Sequence, residues 1–154
     1  MIQWLTILLL TSHVLTIQTN RDEMVRVTAP KIVAHPGKNS VINVAIEVKN
    51  GYHIQAHEVR DEFIVPTTLE INGDPQIIIE TIVFPPAKKF RLEGAEKDLD
   101  VYDGSFEIKV FFKAQNKAQK NSFPLNGKLT YQACDSMRCF SPRVIDFSII
   151  VEVR

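Results

Sequence analysis

Two cysteines, Cys134 and Cys139, are the residues of this 154-residue chain whose type and spacing can do redox chemistry. Only four residues separate them, and a segment of this size can fold back, so a bridge between them is sterically feasible. A thiolate that attacks such a bridge forms a mixed disulfide, which lets the pair exchange electrons with another protein. The same pair can also be an inert clip.

The spacing makes the pair a weak staple. On the chain-entropy model, a bridge that closes a loop of about six residues contributes roughly 2 kcal/mol, against about 5 kcal/mol for a hundred-residue loop. A protein that needed a staple would join distant strands. The pair is therefore better placed for exchange than for stability, and a structural hairpin bridge, free thiols or a metal site are the alternatives.

The neighbours of the pair affect a thiolate in opposite directions. Arg138 and Arg143 favour the thiolate, which is the attacking species, whereas Asp135 disfavours it. Two cysteines with no second pair and no nearby histidine cluster make a poor zinc site. The sequence has no C-x-x-C motif, which excludes a thioredoxin active site and covalent haem attachment.

The elements that must position the pair are predicted to be β-strands. Apolar and polar residues alternate with a period of two, as in half-buried strands, and no segment shows a helical period over three turns. Pairs of turn residues separate the runs, and the pattern predicts an all-β, immunoglobulin-like antiparallel β-sandwich. The predicted strands are 24–27, 32–34, 44–48, 69–71, 77–83 (as a central strand), 106–112, 129–133 and 145–153. The predicted turns are Pro36-Gly37, Asn50-Gly51, Asn72-Gly73, Asp103-Gly104 and Asn126-Gly127.

The segment 85–100 breaks this pattern because it is charged and poor in strand-forming residues. It predicts a long exposed loop, and long loops in compact domains often carry function. A merely solvated connection is the alternative.

The apolar run 5–10 is too short to span a bilayer, which needs about 20 residues, and fits the core of a secretory signal peptide. We therefore predict a signal peptide over residues 1–20 and one domain over 21–154, with a buried N-terminal strand as the alternative. Export to the periplasm or elsewhere outside the cytoplasm would permit a disulfide. The 18 basic and 18 acidic residues balance, which argues against a nucleic acid or an anionic membrane as partner.

Four segments resemble the N-terminal periplasmic domain of the thiol:disulfide interchange protein DsbD, in matching order over roughly residues 30–153. The most specific is the active-site-like segment 129–142, which contains Tyr-Gln-x-Cys and Cys-x-x-Pro around the cysteine pair. The others are Asn50-Gly51-Tyr52-His53-Ile54, the Pro-Thr-x-Leu type strand 63–69, and the Phe-Pro-Pro stretch 84–90.

The resemblance implies an immunoglobulin-like domain whose cysteine pair relays electrons. It implies that Cys139 forms the mixed disulfide with partners and that Cys134 resolves it. It also implies a loop that caps the pair against adventitious oxidation. The positional counterpart of that loop is 90–98, where Phe90, Glu93 and Glu96 are the candidate cap residues.

The candidate supporting residues are Tyr52, His53, Tyr131, Asp135, Arg138 and Phe90. His53 stands where the family can have a second tyrosine, and it is either a proton relay or a strand-end residue hydrogen-bonded to backbone. Tyr131 is expected to pack in the core, and His57, in a charged neighbourhood, to be solvated. The cysteine spacing is one residue shorter than in the best-known member.

The sequence thus predicts an exported thiol–disulfide exchange module that is a monomer. It predicts no small-molecule cofactor and no metal. Its implied partners are thioredoxin-like redox proteins, including disulfide isomerases or cytochrome c maturation proteins, and a membrane electron transporter. As an enzyme, such a module would be a protein-disulfide reductase. The alternative is an immunoglobulin-like binding or adhesion module with a structural local disulfide; a hydrolase is disfavoured because no Gly-x-Ser-x-Gly elbow occurs.

Overall fold

The computed structural model describes residues 19–21 and 24–154. The predicted signal peptide, residues 1–20, lies outside this part of the chain except for its last two positions. Within the described residues the chain forms β-strands and no helix, so none of them forms a helix long and apolar enough to cross a membrane. The strands are β1 (Thr19–Arg21), β2 (Val25–Thr28), β3 (Ile32–Ala34), β4 (Asn39–Val48), β5 (His53–Gln55), β6 (Thr68–Asn72), β7 (Ile77–Val83), β8 (Lys88–Phe90), β9 (Leu99–Tyr102), β10 (Ser105–Ala114), β11 (Ser122–Tyr131), β12 (Ala133–Cys134) and β13 (Arg143–Val153).

Two larger sheets enclose the core. One has the strand order β1-β2-β4-β10-β7 and the other β3-β13-β11-β6, and every pairing is antiparallel except that of β3 with β13. Alternate residues of the long strands are buried, as the period of two predicts: β10 buries Ile108, Val110 and Phe112, and β11 buries Leu125 and Leu129. The predicted immunoglobulin-like antiparallel sandwich is confirmed.

A third, small sheet, which was not predicted, carries the cysteine pair. Its order is β12-β5-β9-β8, and its strands are two to four residues long. Strands this short show no readable alternation, which is why β5, β8 and β9 escaped prediction. The segment 85–100, predicted as a loop, in fact contains β8 and the start of β9, and only residues 91–98 connect them as a loop.

The prediction of a central strand at 77–83 is wrong, because among the described strands β7 is the edge of its sheet and pairs only with β10. Ile78 and Val83 remain close to half exposed. An apolar run reports the character of the side chains, not the number of neighbouring strands.

The prediction of a turn at Asn126-Gly127 is also wrong, because both residues lie inside β11. Gly127 is directly opposite Phe147 of β13, and a Cβ atom at Gly127 would lie 2.3 Å from Cζ of that ring. The glycine therefore makes room for an aromatic side chain instead of turning the chain.

Candidate functional site

The cysteine pair closes a tight hairpin at the end of β12. The Phe140 amide donates to the Ala133 carbonyl at 2.8 Å, and the Asp135 amide donates to the Arg138 carbonyl at 2.9 Å. These two hydrogen bonds flank Cys134 and Cys139, which face each other across an isolated antiparallel bridge with their Cα atoms 3.9 Å apart. The two cysteines form a disulfide, and neither is a free thiol in this structure.

Asp135 shapes the four-residue turn at the tip of the hairpin. Its Oδ1 accepts hydrogen bonds from the amides of Met137 and Arg138, each at 2.8 Å, which is an Asx-type turn. These amide donors, more than the nearby Arg138 charge, hold the pKa of Asp135 below its ordinary value. Asp135 is therefore a carboxylate committed to the backbone of the turn, not a free proton acceptor beside the sulfurs.

The two cysteines differ in accessibility. Cys134 is completely buried, whereas Cys139 is partly exposed. Met137, at the tip of the turn, is 72% exposed. An incoming thiolate can therefore approach the bridge from the side of Cys139, with Cys134 as the sulfur that leaves.

Gln55 is the functional candidate that the sequence reasoning missed. It is 1% exposed, and its Nε2 donates to Sγ of Cys134 at 3.0 Å and to Sγ of Cys139 at 3.6 Å. The only signal in the sequence was one polar residue between the apolar Ile54 and Ala56, on a strand too short to recognise.

Backbone pairing places Gln55 against the cysteines. Strand β5 pairs with β12 so that His53 is opposite Cys134, and the Gln55 amide donates to the Gln132 carbonyl at 2.9 Å. On its other side, the buried Thr67 hydroxyl donates to the Gln55 carbonyl at 2.5 Å. The Gln55 main chain is thus fixed from both directions.

Gln132, the glutamine of the Tyr-Gln-x-Cys motif, holds the scaffold rather than the sulfurs. Its Oε1 accepts from the Val65 amide at 2.9 Å and its Nε2 donates to the Phe140 carbonyl at 3.0 Å. This side chain ties the segment after Cys139 to the segment that leads into β6.

His53 lies under the aromatic ring of Phe90. The two ring centroids are 3.7 Å apart and the rings are nearly parallel, so β8 brings the candidate cap residue Phe90 over a residue that pairs with Cys134. The His53 Nε2 lies 4.0 Å from Oδ2 of Asp103, whose other oxygen is held by Lys88, and the buried Nδ1 has no hydrogen-bond partner among the described residues. His53 does begin strand β5, as the alternative to a proton relay had it, but none of the described hydrogen bonds ties its side chain to the backbone.

The loop 91–98, called the cap loop below, touches the cysteine hairpin. The Glu93 amide donates to the Ser136 carbonyl in the middle of the turn, at 2.8 Å. An ion pair braces the base of the loop: Arg91 Nε donates to Asp98 Oδ1 at 2.7 Å, which holds the pKa of Asp98 below its ordinary value. The side chains of Glu93 and Glu96 are exposed, so the contact with the hairpin is made by the main chain.

Of the remaining predicted residues, two reach the edge of the hairpin and two do not. Tyr52 packs against Phe140 with ring centroids 6.1 Å apart, and the Arg138 guanidinium lies 5.2 Å from the centre of the same ring, so both reach the edge of the hairpin. Tyr131 lies fully buried within the core cluster of the sandwich. His57, expected to be solvated, is exposed and also makes contacts: it stacks on Phe84 and its Nδ1 lies 2.9 Å from the Thr67 carbonyl.

No group of three or more His, Cys, Asp or Glu side chains in the described part of the chain could hold a metal ion. A groove of about 870 Å³ opens beside Gln55, between the segment that carries Phe63 and the cap loop. Phe63 is 83% exposed on its wall, and the other lining side chains are mostly charged residues of both signs. The site thus consists of a disulfide, a buried amide donor, a stacked imidazole and an overlying loop.

Comparison with known proteins gives one family and a set of similar folds. The family described as "Thiol:disulfide interchange protein DsbD, N-terminal" matches residues 21–149. No curated protein sequence matches the chain significantly.

Among solved structures, the N-terminal periplasmic domain of ScsB from Proteus mirabilis is 17% identical with a TM-score of 0.55. The match covers 85% of this chain and 47% of that one, so this chain spans about half the length of the ScsB domain. The seventh ScaB type I cohesin from Pseudobacteroides cellulosolvens is 9% identical with a TM-score of 0.52, over 83% and 90% of the two chains. The reduced DsbD N-terminal domain of Neisseria meningitidis is 22% identical with a TM-score of 0.43, over 80% and 83%. The first two similarities show a shared fold.

Proposed function

The chain belongs to the DsbD N-terminal domain family, a family of thiol–disulfide interchange modules with a cysteine pair, and we propose that it relays electrons between proteins outside the cytoplasm through Cys134 and Cys139. In this proposal the domain comprises residues 21–154, is exported by the segment 1–20, and acts as a monomer. Its electron donor is a thioredoxin-like domain served by a membrane electron transporter. Its acceptors are thioredoxin-like proteins of the disulfide isomerase or cytochrome c maturation type.

The unequal burial of the two cysteines is the observation that carries the proposal. A donor thiolate attacks Sγ of Cys139, the partly exposed half of the pair. The Cys134–Cys139 bond breaks as the mixed disulfide forms, and its electron pair leaves on Sγ of the buried Cys134. A second donor thiol then displaces Cys139, so the donor leaves as a disulfide and the domain keeps two electrons as two thiols.

Reduction of the acceptor runs through the same atoms in the opposite order. The Cys139 thiolate attacks the acceptor disulfide, and Cys134 then attacks Sγ of Cys139 in the mixed disulfide. The acceptor departs as a dithiol and the domain is oxidised again. Cys139 is the partner-bound residue in both directions, and Cys134 is the resolving residue.

The cap loop supports this proposal as a cover for the pair. The Glu93 amide of the loop is bonded to the Ser136 carbonyl, and Phe90, directly before the loop, stacks on His53, so the loop lies along one side of the hairpin. The loop leaves Cys139 partly exposed to a partner thiolate, while Cys134 is completely buried.

The reduction potential of the pair against glutathione tests the proposal. We expect a value above about −300 mV, because structural disulfides of exported proteins lie below that limit. A lower value means an inert clip and contradicts the proposed function.

Trapping with single-cysteine variants is the second test. Cys134→Ala leaves Cys139 free to attack and should accumulate mixed disulfides with exported thioredoxin-like proteins. The matched control, Cys139→Ala, leaves only the buried cysteine and should accumulate few. Equal trapping by the two variants would contradict the assigned roles.

A binding module with a local clip is the second candidate, and one surface feature favours it. Val41 of β4 and Phe111 of β10 are paired neighbours, and both are more than a third exposed on the outer face of the larger sheet. This function predicts an inert disulfide, no trapped partners, and full binding activity after reduction.

A further inference from the structure

Gln55 is a buried polar side chain whose amide is directed at the sulfurs. Its Nε2 lies closer to Cys134 Sγ, at 3.0 Å, than to Cys139 Sγ, at 3.6 Å. Its Oε1 is buried and has no hydrogen-bond partner among the described residues. A buried, half-satisfied amide costs stability, so the core alone gives no reason for a glutamine here.

The charge that Gln55 can stabilise appears only during exchange. A disulfide sulfur is a weak hydrogen-bond acceptor, whereas a thiolate is an anion, and hydrogen bonds to charged groups are roughly twice as strong as neutral ones. Cys134 is completely buried, so water cannot stabilise its thiolate. The Gln55 amide is the donor that lies within reach of Sγ in the described structure.

On the basis of the exchange function proposed above, we infer that Gln55 is a catalytic hydrogen-bond donor that stabilises the Cys134 thiolate and thereby directs attack to Cys139. When a thiolate attacks Cys139 Sγ, the electron pair of the broken bond arrives on the sulfur nearer to the Gln55 Nε2. A better-stabilised leaving thiolate departs faster. In the reverse direction the same hydrogen bond raises the thiolate fraction of the resolving cysteine.

The main-chain bonds that hold Gln55 do not depend on the disulfide. The Gln55 amide is bonded to Gln132 and its carbonyl to Thr67, and neither bond involves a cysteine. Opening of the disulfide therefore does not release the strand that carries the donor.

Gln55→Met removes the donor and keeps the approximate length and volume of the side chain. Reduction of the oxidised protein by dithiothreitol should become about tenfold slower, the loss expected for one hydrogen bond to a developing charge. Gln55→Asn keeps an amide on a shorter side chain and should be intermediate. The control is Gln115→Met, the same substitution at a glutamine that donates to the Pro75 carbonyl, and it should leave the rate unchanged.

The pKa of the Cys134 thiol separates this role from a purely structural one. In a Cys139→Ala background, the ultraviolet absorbance of the thiolate reports Cys134 alone, and adding Gln55→Met should raise its pKa by about one unit. Adding Gln115→Met should leave it unchanged. The urea midpoint of Gln55→Met should not fall, because the substitution removes a buried unsatisfied oxygen.

An unchanged Cys134 pKa in both Gln55 variants overturns the inference, as does a slower rate accompanied by an equal loss of stability. These outcomes are distinct from a failure of the proposed function. An inert disulfide in the unsubstituted protein refutes exchange with partners, while the pKa measurement still decides whether Gln55 stabilises the thiolate.

Discussion

Reduction of the Cys134–Cys139 disulfide should lower the free energy of unfolding by about 2 kcal/mol and leave the fold intact, because the bridge closes a loop of only about six residues. The hairpin also keeps hydrogen bonds that do not involve sulfur. The Phe140 amide remains bonded to the Ala133 carbonyl, and the Asp135 carboxylate still caps the turn. The large sheets, which contain the core, make no use of the bridge.

Urea denaturation followed by circular dichroism measures this difference. For a slope of about 2 kcal/mol per molar urea, the midpoint of the reduced protein should lie about 1 M below that of the oxidised protein. A variant with both Cys134→Ala and Cys139→Ala should match the reduced protein to within a few tenths molar. Added reductant should not shift that variant, which controls for effects of the reductant itself.

The reasoning fails if reduction unfolds the protein without denaturant or costs more than about 4 kcal/mol, the range expected for a bridge across a long loop. Either result would mean that the small sheet depends on the covalent bond, and a redox carrier cannot depend on a bond that it must repeatedly open. An unchanged slope is also required, since a changed slope would indicate that the reduced protein exposes a different amount of surface.

Three further predictions concern the scaffold and the cap loop. Gly127→Ala should lower the free energy of unfolding in urea by about 1–3 kcal/mol, because its Cβ would meet the Phe147 ring. Adding Phe147→Leu to the same chain should recover part of the loss. Full stability of the single variant would contradict the packing argument. Hydrogen bonds from Lys31 first and then from a neighbouring arginine lower the pKa of Glu152 from 4.5 to about 2, so its carboxylate contributes stability above pH 4.5 that is lost as the pH falls toward 2. Glu152→Gln should therefore lower the urea midpoint at neutral pH, with the difference from the unsubstituted protein vanishing near pH 2, and a constant difference would exclude this linkage. Arg91→Gln breaks the ion pair at the base of the cap loop and should speed reduction of the disulfide by dithiothreitol a few-fold at most, because exposed ion pairs are weak. A slower reduction would show that the loop does not cover the cysteine pair.

The long strands were predictable because each buries one face against the core. The run 145–153 alternates over nine residues, and it lies within β13. The run 77–83 coincides with β7, but its position in the sheet was not predictable, since an apolar run carries no information on how many strands lie beside it.

The candidate site was predictable only in its covalent part. Two cysteines of short separation and the motif around them drew attention to the hairpin. Gln55 was missed because it reaches the sulfurs across a pairing between residues 79 positions apart in sequence, on a strand of three residues. Gly127 was misread for a related reason: the feature that requires it is the Phe147 ring on another strand.

The cap loop meets the cysteine hairpin through an amide of Glu93 and a carbonyl of Ser136, two atoms that nearly every amino acid possesses. Only proline at position 93 would remove the donor, and no side chain at position 136 could remove the acceptor. This hydrogen bond is thus independent of side-chain chemistry: the charges of Glu93, Glu96 and Lys97 can be exchanged while it remains, whereas the Arg91–Asp98 pair and the positive φ of Gly94 constrain the rest of the loop. Substitutions at 93, 96 and 97 other than proline should therefore leave this contact with the hairpin in place.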